Sequence, residues 1–589
     1  MLENFNPEKT PVDVLLFADD LTSIWYYEHM IPGSSVYDFG LKLAENQGMK
    51  QFSEEEYTKY LEYVEKTSPE SERVCHYVEN NDFCSAHHTA RSYAMYKLAH
   101  EIRKKGYTVQ VVTHFWYHTE EDFKKIFEKF IGDNTSLVGF SQTFHSAYNP
   151  WALFHSLYMP PQRQRKIKEW IKEINPNTKL VSGGSPHTLE VLLDKRFDSA
   201  MLDMDIINVG YAEATIFEML DDIKAGTEWP VYTDRGSRLD ILNSTMSYCE
   251  EDGILKGDEM PLETSRGCIF SCSFCNFGLL GKEKGTYIRK QSLIQDELKR
   301  NWEENGIYKY WVMDDTFNED TDKLKLVAEA KHNANIPLEL SAFIRLDLQH
   351  RLKQEQVLLD CGLFNPHYGI ESLNPLNGPL IGKGWNPLEQ FQYLRELKEG
   401  IFKDKVQLFS SFVVGLPEDN RESLQLFREQ ILDPKFNPLD YLMVNFMFIR
   451  DLTSHQVTTS GDENFQQTGS KIDRNPEEYG YSFPTEHANK IQAATSGAVV
   501  RYWRNKHGIT YTGAERFVKK LNEDFHKSRG WMPKLTATYH KIPQDAEKTD
   551  FMKNYWQEYW SKIMSVKQHT VYNSVQWVDE GKVTEFKPI

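Results

Sequence analysis

Three cysteines within a short glycine-flanked segment constrain this chain more than any other feature. Cys268, Cys272 and Cys275 form a CxxxCxxC array in the segment RGCIFSCSFCNFG. Thiolates this close do not pair neatly as disulfides, but they can converge on one inorganic centre. Cubane iron–sulfur clusters take thiolate ligands from short spacings of this kind, and three protein ligands leave one iron open. The array therefore predicts a 4Fe-4S cluster, held in a loop whose glycines let the backbone wrap closely.

A structural zinc site is the alternative interpretation of the array. Structural zinc is tetrahedral and closed, so the site would need a fourth ligand. Cys249 is the nearest spare cysteine, but it belongs to no second CxxC pair, which zinc sites normally show. Cys75 and Cys84 have histidines beside them in spacings that match no metal template, and an ordinary loop is expected there. The cluster is the better prediction.

The array resembles the signature of the radical S-adenosylmethionine (SAM) enzymes. The resemblance implies that the three cysteines hold the cluster and that its open iron chelates the amino and carboxylate groups of SAM. It places Phe274 near the adenine. It also implies a reaction, in which one electron from the cluster cleaves SAM and releases a 5′-deoxyadenosyl radical, so a reductant such as flavodoxin or ferredoxin is an expected partner.

Length and charge narrow the class of protein further. The 589 residues suggest two to four domains, and 40% hydrophobic residues are ample for their cores. The net charge of -18 opposes a general nucleic-acid binder, which would show a basic footprint. No apolar run approaches the roughly 18 residues that span a bilayer, and the N-terminus lacks the pattern of a secretory signal. Seven cysteines, three of them clustered, suit a reducing cytosol. We expect a cytoplasmic enzyme without a membrane partner.

Short apolar strands alternate with helices through the first part of the chain. The candidate strands are residues 12–18, 107–113, 136–143, 179–182 and 205–210, with a long first loop at 19–86 and an insertion at 148–161. This alternation predicts a parallel, doubly wound α/β sheet. Ligands of such sheets bind beyond the carboxyl ends of the strands. Those ends carry Ser141, Gly183, Gly184 and Gly210.

The phrases at these strand ends, LVGFSQ, LVSGGSPHT and INVGYAE, resemble the cobalamin-binding domain that precedes the radical SAM core in the cobalamin-dependent class. The resemblance implies that Ser141, Gly183, Gly184 and Gly210 line a cobalamin site. The DxHxxG motif, which supplies an axial histidine to cobalt in other cobalamin proteins, is absent, so the lower face of cobalt is expected to lack a protein ligand. A vestigial domain without a cofactor remains an alternative.

Six further strand–helix units follow. Their candidate strands are residues 262–265, 308–313, 338–343, 365–370, 406–414 and 441–448. Their number matches the partial (β/α)6 barrel of radical SAM enzymes, and in such barrels the carboxyl ends of the strands carry the chemistry. The predicted organisation is a cobalamin-binding-like Rossmann domain (1–225), a linker (226–258), the barrel (259–450) and a mostly helical, aromatic-rich region (451–589). We expect that last region, with helices at 485–506, 513–529 and 548–564 and a terminal hairpin turning at Glu580-Gly581, to cover the barrel mouth.

Several strand ends of the barrel resemble family positions for SAM. Asp314 and Asp315 stand where the family contacts the SAM ammonium, for which a carboxylate is a suitable acceptor. Arg345 is placed to bind a carboxylate through two hydrogen bonds from its guanidinium. Glu371 and Ser372 in HYGIES resemble the motif near the ribose or amino acid, and Gly415 in VVGLPED resembles the backbone bend near adenine. Lys383 in IGKG recurs in the family as a structural position.

The function that the resemblance implies is a cobalamin-dependent radical SAM methyltransferase acting on an unactivated carbon of a small molecule or peptide. Three alternatives stay open. The same architecture supports non-methylating rearrangement, cyclisation or oxidation. Methylthiolation of tRNA fits poorly, because extra N-terminal cysteines and a basic C-terminal module are not seen. An iron–sulfur protein without enzymatic activity would not need Asp314, Asp315 and Glu371 at strand ends.

Overall fold

The structure is a computed structural model. The described residues are 5, 7–18, 91–113, 120–141, 161–184, 204–227, 229, 232–236, 241–256, 258–270, 272, 287–446, 449–450, 471–473, 500–504, 517–518, 520–521, 524–525, 557–566, 576–579 and 582–585. Phe274, Cys275, the long first loop, the insertion at 148–161 and most of the region after 450 lie outside these residues, so the predictions that concern them stay predictions.

The first half forms a parallel six-stranded sheet. Its elements in chain order are β1 (Val14–Phe17), α1 (Tyr93–Lys104), β2 (Val109–Val112), α2 (Glu120–Phe130), β3 (Leu137–Ser141), α3 (Pro161–Ile174), β4 (Lys179–Gly183), β5 (Ile206–Gly210), α4 (Ala212–Lys224) and β6 (Tyr232–Gly236). The strand order is β2-β1-β3-β4-β5-β6, with every pair parallel. The predicted doubly wound sheet is confirmed.

Strand β1 shows why this sheet needs helices on both faces. All four of its residues are buried, because successive side chains point to opposite faces. Val14 and Leu16 belong to one hydrophobic core together with α1 and α4. Leu15 and Phe17 belong to another with α2 and α3, where Phe17 stacks on Phe140 with ring centroids 4.9 Å apart. A continuous apolar run of this kind is typical of a strand in a parallel sheet.

The segment predicted as a linker is part of the folded structure. Strand β6 lies inside residues 226–258 and pairs with β5, which adds a sixth strand to the five predicted. Further along, Met246, Tyr248 and Ile254 are buried in the main core. Buried ion pairs tie the end of this segment to the ends of α1, from Arg91 to Asp258 at 2.7 Å and from Arg103 to Asp252 at 2.8 Å. The two halves are therefore joined by a packed connector.

The second half forms another parallel six-stranded sheet whose strands lie in chain order. Its elements are β7 (Met260–Leu262), α5 (Gln291–Asn305), β8 (Lys309–Val312), α6 (Thr321–Ala334), β9 (Glu339–Ile344), α7 (Leu346–Leu352), α8 (Glu355–Cys361), β10 (Leu363–Glu371), α9 (Asn377–Leu380), α10 (Pro387–Glu399), β11 (Phe409–Val414), α11 (Arg421–Leu432) and β12 (Tyr441–Phe446). The six predicted repeats are confirmed, except that two short helices, α7 and α8, fill the third connection where one was predicted.

The described parts of the last region include a small antiparallel sheet and a hairpin. Strand β15 (Val500–Arg504) joins β13 (Ile449–Arg450) and β14 (Lys471–Asp473), so residues 500–504 are a strand where a helix was predicted. Its sequence, VRYWR, is rich in the β-branched and aromatic residues that favour strands. Strands β16 (Gln576–Asp579) and β17 (Lys582–Glu585) form the predicted terminal hairpin.

Two contacts define the positions of the remaining described segments. Tyr559, in the helical residues 557–565, accepts a hydrogen bond from the Thr113 amide at 2.9 Å, beside the first sheet. Asp524 forms an ion pair with Arg428 of α11 at 2.5 Å. Tyr559 thus lies beside the first sheet and Asp524 beside α11, whereas the covering role expected at the barrel mouth concerns residues mostly outside the described ones and stays a prediction. Within the described residues, no helix combines the length and apolar character that crossing a bilayer requires.

Candidate functional site: the facing strand ends of the two sheets

Asp314 anchors the start of the cysteine loop. It follows β8, it is fully buried, and its carboxylate accepts hydrogen bonds from the amides of Thr264 (2.8 Å) and Ser265 (2.9 Å). The hydroxyls of Thr264 and Ser265 donate to the same carboxylate. The resemblance suggested that Asp314 contacts the SAM ammonium. The structure instead places it beneath the loop, where its acceptor capacity is taken up by the chain that leads to Cys268.

Lys323 completes this anchor and was not predicted. Its ammonium, on α6, is fully buried and lies 3.1 Å from Asp314 Oδ2 and 3.0 Å from Glu319 Oε1. It also donates to Ser265 Oγ at 3.0 Å and to the carbonyl of Thr316 at 3.1 Å. An ammonium with several oxygen partners is the condition under which a buried charge is tolerated. Nothing in the local sequence distinguishes Lys323 from the exposed Lys325 two residues later.

Two of the three predicted cluster ligands lie at the mouth of the barrel. Cys268 Sγ is 3.2 Å from the hydroxyl of Thr316, and Cys272 Sγ accepts from Arg345 Nη1 at 3.6 Å. Both contacts come from residues just after strands, β8 for Thr316 and β9 for Arg345. Hydrogen-bond donors directed at sulfur are the surroundings that thiolate ligands of an iron–sulfur cluster require. This donor set fits the predicted cluster.

Cys249, the fourth ligand considered for a zinc site, does not lie with the cysteines of the loop. Cys249 packs in the connector before β7, where its thiol lies 3.5 Å from Asp252 Oδ2. Burial raises the pKa of this thiol well above its usual value, which keeps it protonated. In the described part of the chain, no three His, Cys, Asp or Glu side chains converge as a metal site, so Cys249 does not join Cys268 and Cys272.

Arg345 is held beside the cysteine loop from three directions. Its guanidinium forms a two-point pair with Asp347, with both N–O distances 3.0 Å. Its Cζ atom lies 4.1 Å from the centroid of the Phe270 ring. Burial opposes the charge, but Asp347 outweighs it and keeps the pKa of Arg345 above its ordinary value. The fork predicted to bind a ligand carboxylate is therefore occupied by Asp347, and the remaining nitrogen points to Cys272.

Asp315 is the half-exposed carboxylate at the same edge, next to the buried Asp314.

Glu371 ends β10 at a bulge, with a left-handed φ of 70° that is uncommon for a residue other than glycine. Burial raises the pKa of Glu371, opposed by Lys383, whose ammonium is 3.6 Å away. Lys383 also donates to the Gly369 carbonyl at 2.7 Å, which gives it the structural role suggested by the sequence.

The remaining predicted positions shape the backbone at this edge. Ser372 Oγ accepts from the amide of Asn374 at 3.1 Å and lies 3.3 Å from the side chain of Asn377. Gly415 has φ of 94°, and its amide and that of Leu416 donate to Asp419 at 2.8 and 3.0 Å. The predicted backbone bend after β11 is present. Asp315, Arg345, Glu371 and Gly415 thus follow four neighbouring strands at one edge of the barrel.

The predicted cobalamin positions lie at the carboxyl edge of the first sheet. Ser141 and Gly183 end the paired strands β3 and β4, and Gly210 ends β5. Strand β1 lies between β2 and β3, so successive strands are added on opposite sides of β1, and such switch points are where doubly wound sheets bind ligands. Gly184 has a left-handed φ of 139°. A Cβ atom on Gly183 would meet Asn208 only at 3.5 Å, so internal packing does not require glycine at that position.

Arg266 connects the two edges. It precedes Cys268 by two residues and pairs with Glu263 at 2.5 Å and with Glu213 at 2.9 Å. Glu213 lies in the first turn of α4, directly after β5, and the ring of Tyr211 lies under the guanidinium at 4.7 Å. Burial opposes the charge of Arg266, but Glu263 and Glu213 outweigh it and raise its pKa. The carboxyl edges of both sheets therefore face each other at the cysteine loop.

Fold and site together define an α/β protein with two parallel sheets and a cysteine loop at the mouth of a partial barrel. Residues 262–431 match the family model of the radical SAM superfamily. This part of the chain is a radical SAM domain, and the cofactors of that family are a 4Fe-4S cluster and SAM. The match runs from the last residue of β7 into α11 and includes the barrel edge just described.

Two relatives extend the comparison. An uncharacterized methyltransferase of Pyrococcus horikoshii, PH0819, is 24% identical over 328 residues, which span 52% of this chain and 65% of that protein. The solved radical SAM methyltransferase TsrM from Kitasatospora setae, which was determined with cobalamin and a 4Fe-4S cluster bound, is 15% identical. Its alignment covers 79% of this chain and 96% of TsrM, with a TM-score of 0.52. The likeness to TsrM shows that the two chains share a fold.

Proposed function

We propose that this enzyme is a cobalamin-dependent radical SAM methyltransferase that acts on an unactivated carbon of a small molecule or peptide. The observation that carries the proposal is the contact of Arg266 with Glu213 and Tyr211. It brings the edge that would hold cobalamin against the loop that holds the cluster. A methylated substrate must lie between a methyl donor and a radical source, and facing edges provide that space.

In this proposal the cofactors supply the difficult chemistry. SAM and the cluster would supply the radical that abstracts a hydrogen atom, and cobalamin would supply the methyl group. The protein's part is to hold them in place. Asp315 accepts hydrogen bonds from the SAM ammonium, Thr316 and Arg345 support the thiolates, and the Gly183–Gly184 strand end leaves room for a wide ring. Arg266 fixes the separation between the two edges, which matters because reacting groups must be within about 3–3.5 Å.

The proposed methyltransferase is tested with protein reconstituted anaerobically, supplied with cobalamin, a reductant such as flavodoxin or ferredoxin, and SAM carrying a deuterated methyl group. The expected result is S-adenosylhomocysteine that depends on cobalamin, together with 5′-deoxyadenosine that does not require it. Gly183→Val is expected to lower cobalamin retention while the iron content and unfolding midpoint stay unchanged. Failure of the unaltered protein to form S-adenosylhomocysteine would overturn the methyltransferase assignment.

A non-methylating rearrangement, cyclisation or oxidation is the second candidate. It uses the same cluster edge, so the structural support from Cys268, Cys272 and Arg345 is common to both. It predicts 5′-deoxyadenosine without S-adenosylhomocysteine in the same experiment. The methyltransferase is favoured because the relative from Pyrococcus horikoshii is named as one.

A further inference from the structure

The barrel lumen contains aromatic rings that the proposed chemistry does not use. Trp311 of β8, Phe343 of β9, His367 of β10 and Phe409 of β11 meet edge to face, and we call them the lumen aromatic cluster. Ring centroids are 5.4 Å apart for Trp311–Phe343, 4.7 Å for Trp311–His367 and 4.0 Å for His367–Phe409. His367 is in register with both Phe343 and Phe409, so these rings lie at one level of the barrel.

This cluster is more open than a packed core. Along β9 the residues that face the helices, Leu340, Ala342 and Ile344, are buried, whereas the alternate residue Phe343 exposes 44% of its surface. Met313, the next lumen-facing position after Trp311, exposes 37%. Closed barrels fill their interior with layers of apolar side chains. Here Phe409 is buried, but Phe343, Trp311 and His367 stay partly exposed, so three of the four rings border an open space.

The space lies directly below the cofactor edge. Phe343 lies near the end of β9 and precedes Arg345, which directly follows the strand, by two residues, a rise of about 7 Å. Arg345 contacts Cys272, so a molecule resting on the rings has its upper end at the cysteine loop. The opposite end of the lumen is marked by Lys309 and Glu339, which pair at 3.7 Å.

The level of the rings carries no formal charge. Although the His367 ring is partly exposed, its Nε2 atom is buried, and this desolvation lowers the pKa of His367 to about 3, which leaves the imidazole neutral at physiological pH. The charged groups above it are engaged with each other, Arg345 with Asp347 and Glu371 with Lys383. A charged ligand would lose its hydration here without gaining an opposite charge, which is costly.

We propose that the lumen aromatic cluster is the substrate subsite and that it receives a neutral, planar aromatic group of a small molecule. The catalytic meaning of this subsite rests on the proposed function, although binding itself does not. Edge-to-face ring pairs favour an aromatic partner over a saturated one by about 2- to 12-fold each.

The experiment measures binding of N-phenyl-1-naphthylamine, a neutral fluorescent aromatic probe, to the full-length, cluster-containing protein. Saturable fluorescence enhancement is expected. Phe343→Leu keeps an apolar side chain but removes a ring, so probe affinity should fall by about 2- to 12-fold. Leu426→Ala, an exposed position on the outer surface of α11, is the matched control and should leave affinity unchanged. Unfolding midpoints of both variants verify that each is folded.

Competition then separates an aromatic site from a merely apolar one. Toluene should displace the probe at lower concentration than methylcyclohexane, although methylcyclohexane is the more hydrophobic of the two. Equal or better displacement by methylcyclohexane overturns the aromatic class. Unchanged probe affinity in both Phe343→Leu and Trp311→Leu overturns the location. Neither result depends on SAM cleavage, so failure of the subsite and failure of the proposed methyltransferase are distinguishable.

Discussion

Replacing Lys323 with methionine tests the anchor beneath the cysteine loop. The substitution keeps the length and apolar stem of the side chain and removes a buried ammonium that lies within 3.1 Å of Asp314 and Glu319. Breaking a buried ion pair by removing one partner costs about 3–5 kcal/mol. We expect the free energy of unfolding to fall by about the cost of one such pair, because Asp314 keeps its hydrogen bonds from Thr264 and Ser265.

The assay is urea unfolding of the cluster-free protein followed by tryptophan fluorescence, with iron content measured after reconstitution. Lys325→Met is the matched control, since it makes the same change on the exposed face of α6 and should leave the unfolding midpoint unchanged. Adding Glu319→Gln to Lys323→Met should recover part of the stability, because one uncompensated buried charge is removed. The reasoning is refuted if Lys323→Met is as stable as Lys325→Met, or if the double variant recovers nothing.

The other predictions concern the site and its pH dependence. Cys272→Ala should abolish cluster absorbance and SAM cleavage together, and persistent cleavage would contradict the ligand assignment. Asp315→Ala should weaken SAM binding measured by equilibrium dialysis while iron content is retained; loss of both would indicate a structural role. Glu213→Gln should raise the ratio of 5′-deoxyadenosine to methylated product without changing iron content, and an unchanged ratio would argue against Arg266 setting the distance between the edges. Burial lowers the pKa of His367 from 6.5 in the unfolded chain to about 3 in the folded chain. Below pH 6.5 the unfolded chain therefore binds a proton that the folded chain does not bind. The contribution of neutral His367 to stability is present above pH 6.5 and falls as the pH decreases. His367→Phe should therefore remove about 2 kcal/mol of the loss between pH 6.5 and 5, and parallel curves for the two proteins would disprove it.

Local patterns in the sequence were sufficient for the fold class. The apolar run of β1 required a sheet covered on both faces, and regular strand–helix alternation predicted the parallel order of the barrel strands. The cysteine spacing predicted a radical SAM domain without any tertiary information, and the family model matches residues 262–431. These features follow from contacts that are close along the chain, which is why a pattern can record them.

Distant contacts decided what the site residues do. Asp314 and Asp315 are adjacent in sequence, yet their surroundings differ. Asp314 is fully buried and forms an ion pair with Lys323, whereas Asp315 is half-exposed at the barrel edge. Arg345 was expected to bind a ligand carboxylate, but Asp347 occupies its fork. The partnership of Arg266 with Glu213 joins residues 53 positions apart. The sequence alone determined which residues were available for chemistry, whereas only the tertiary structure decided which of them face the cofactors, because burial and charge pairing depend on neighbours from other strands and helices.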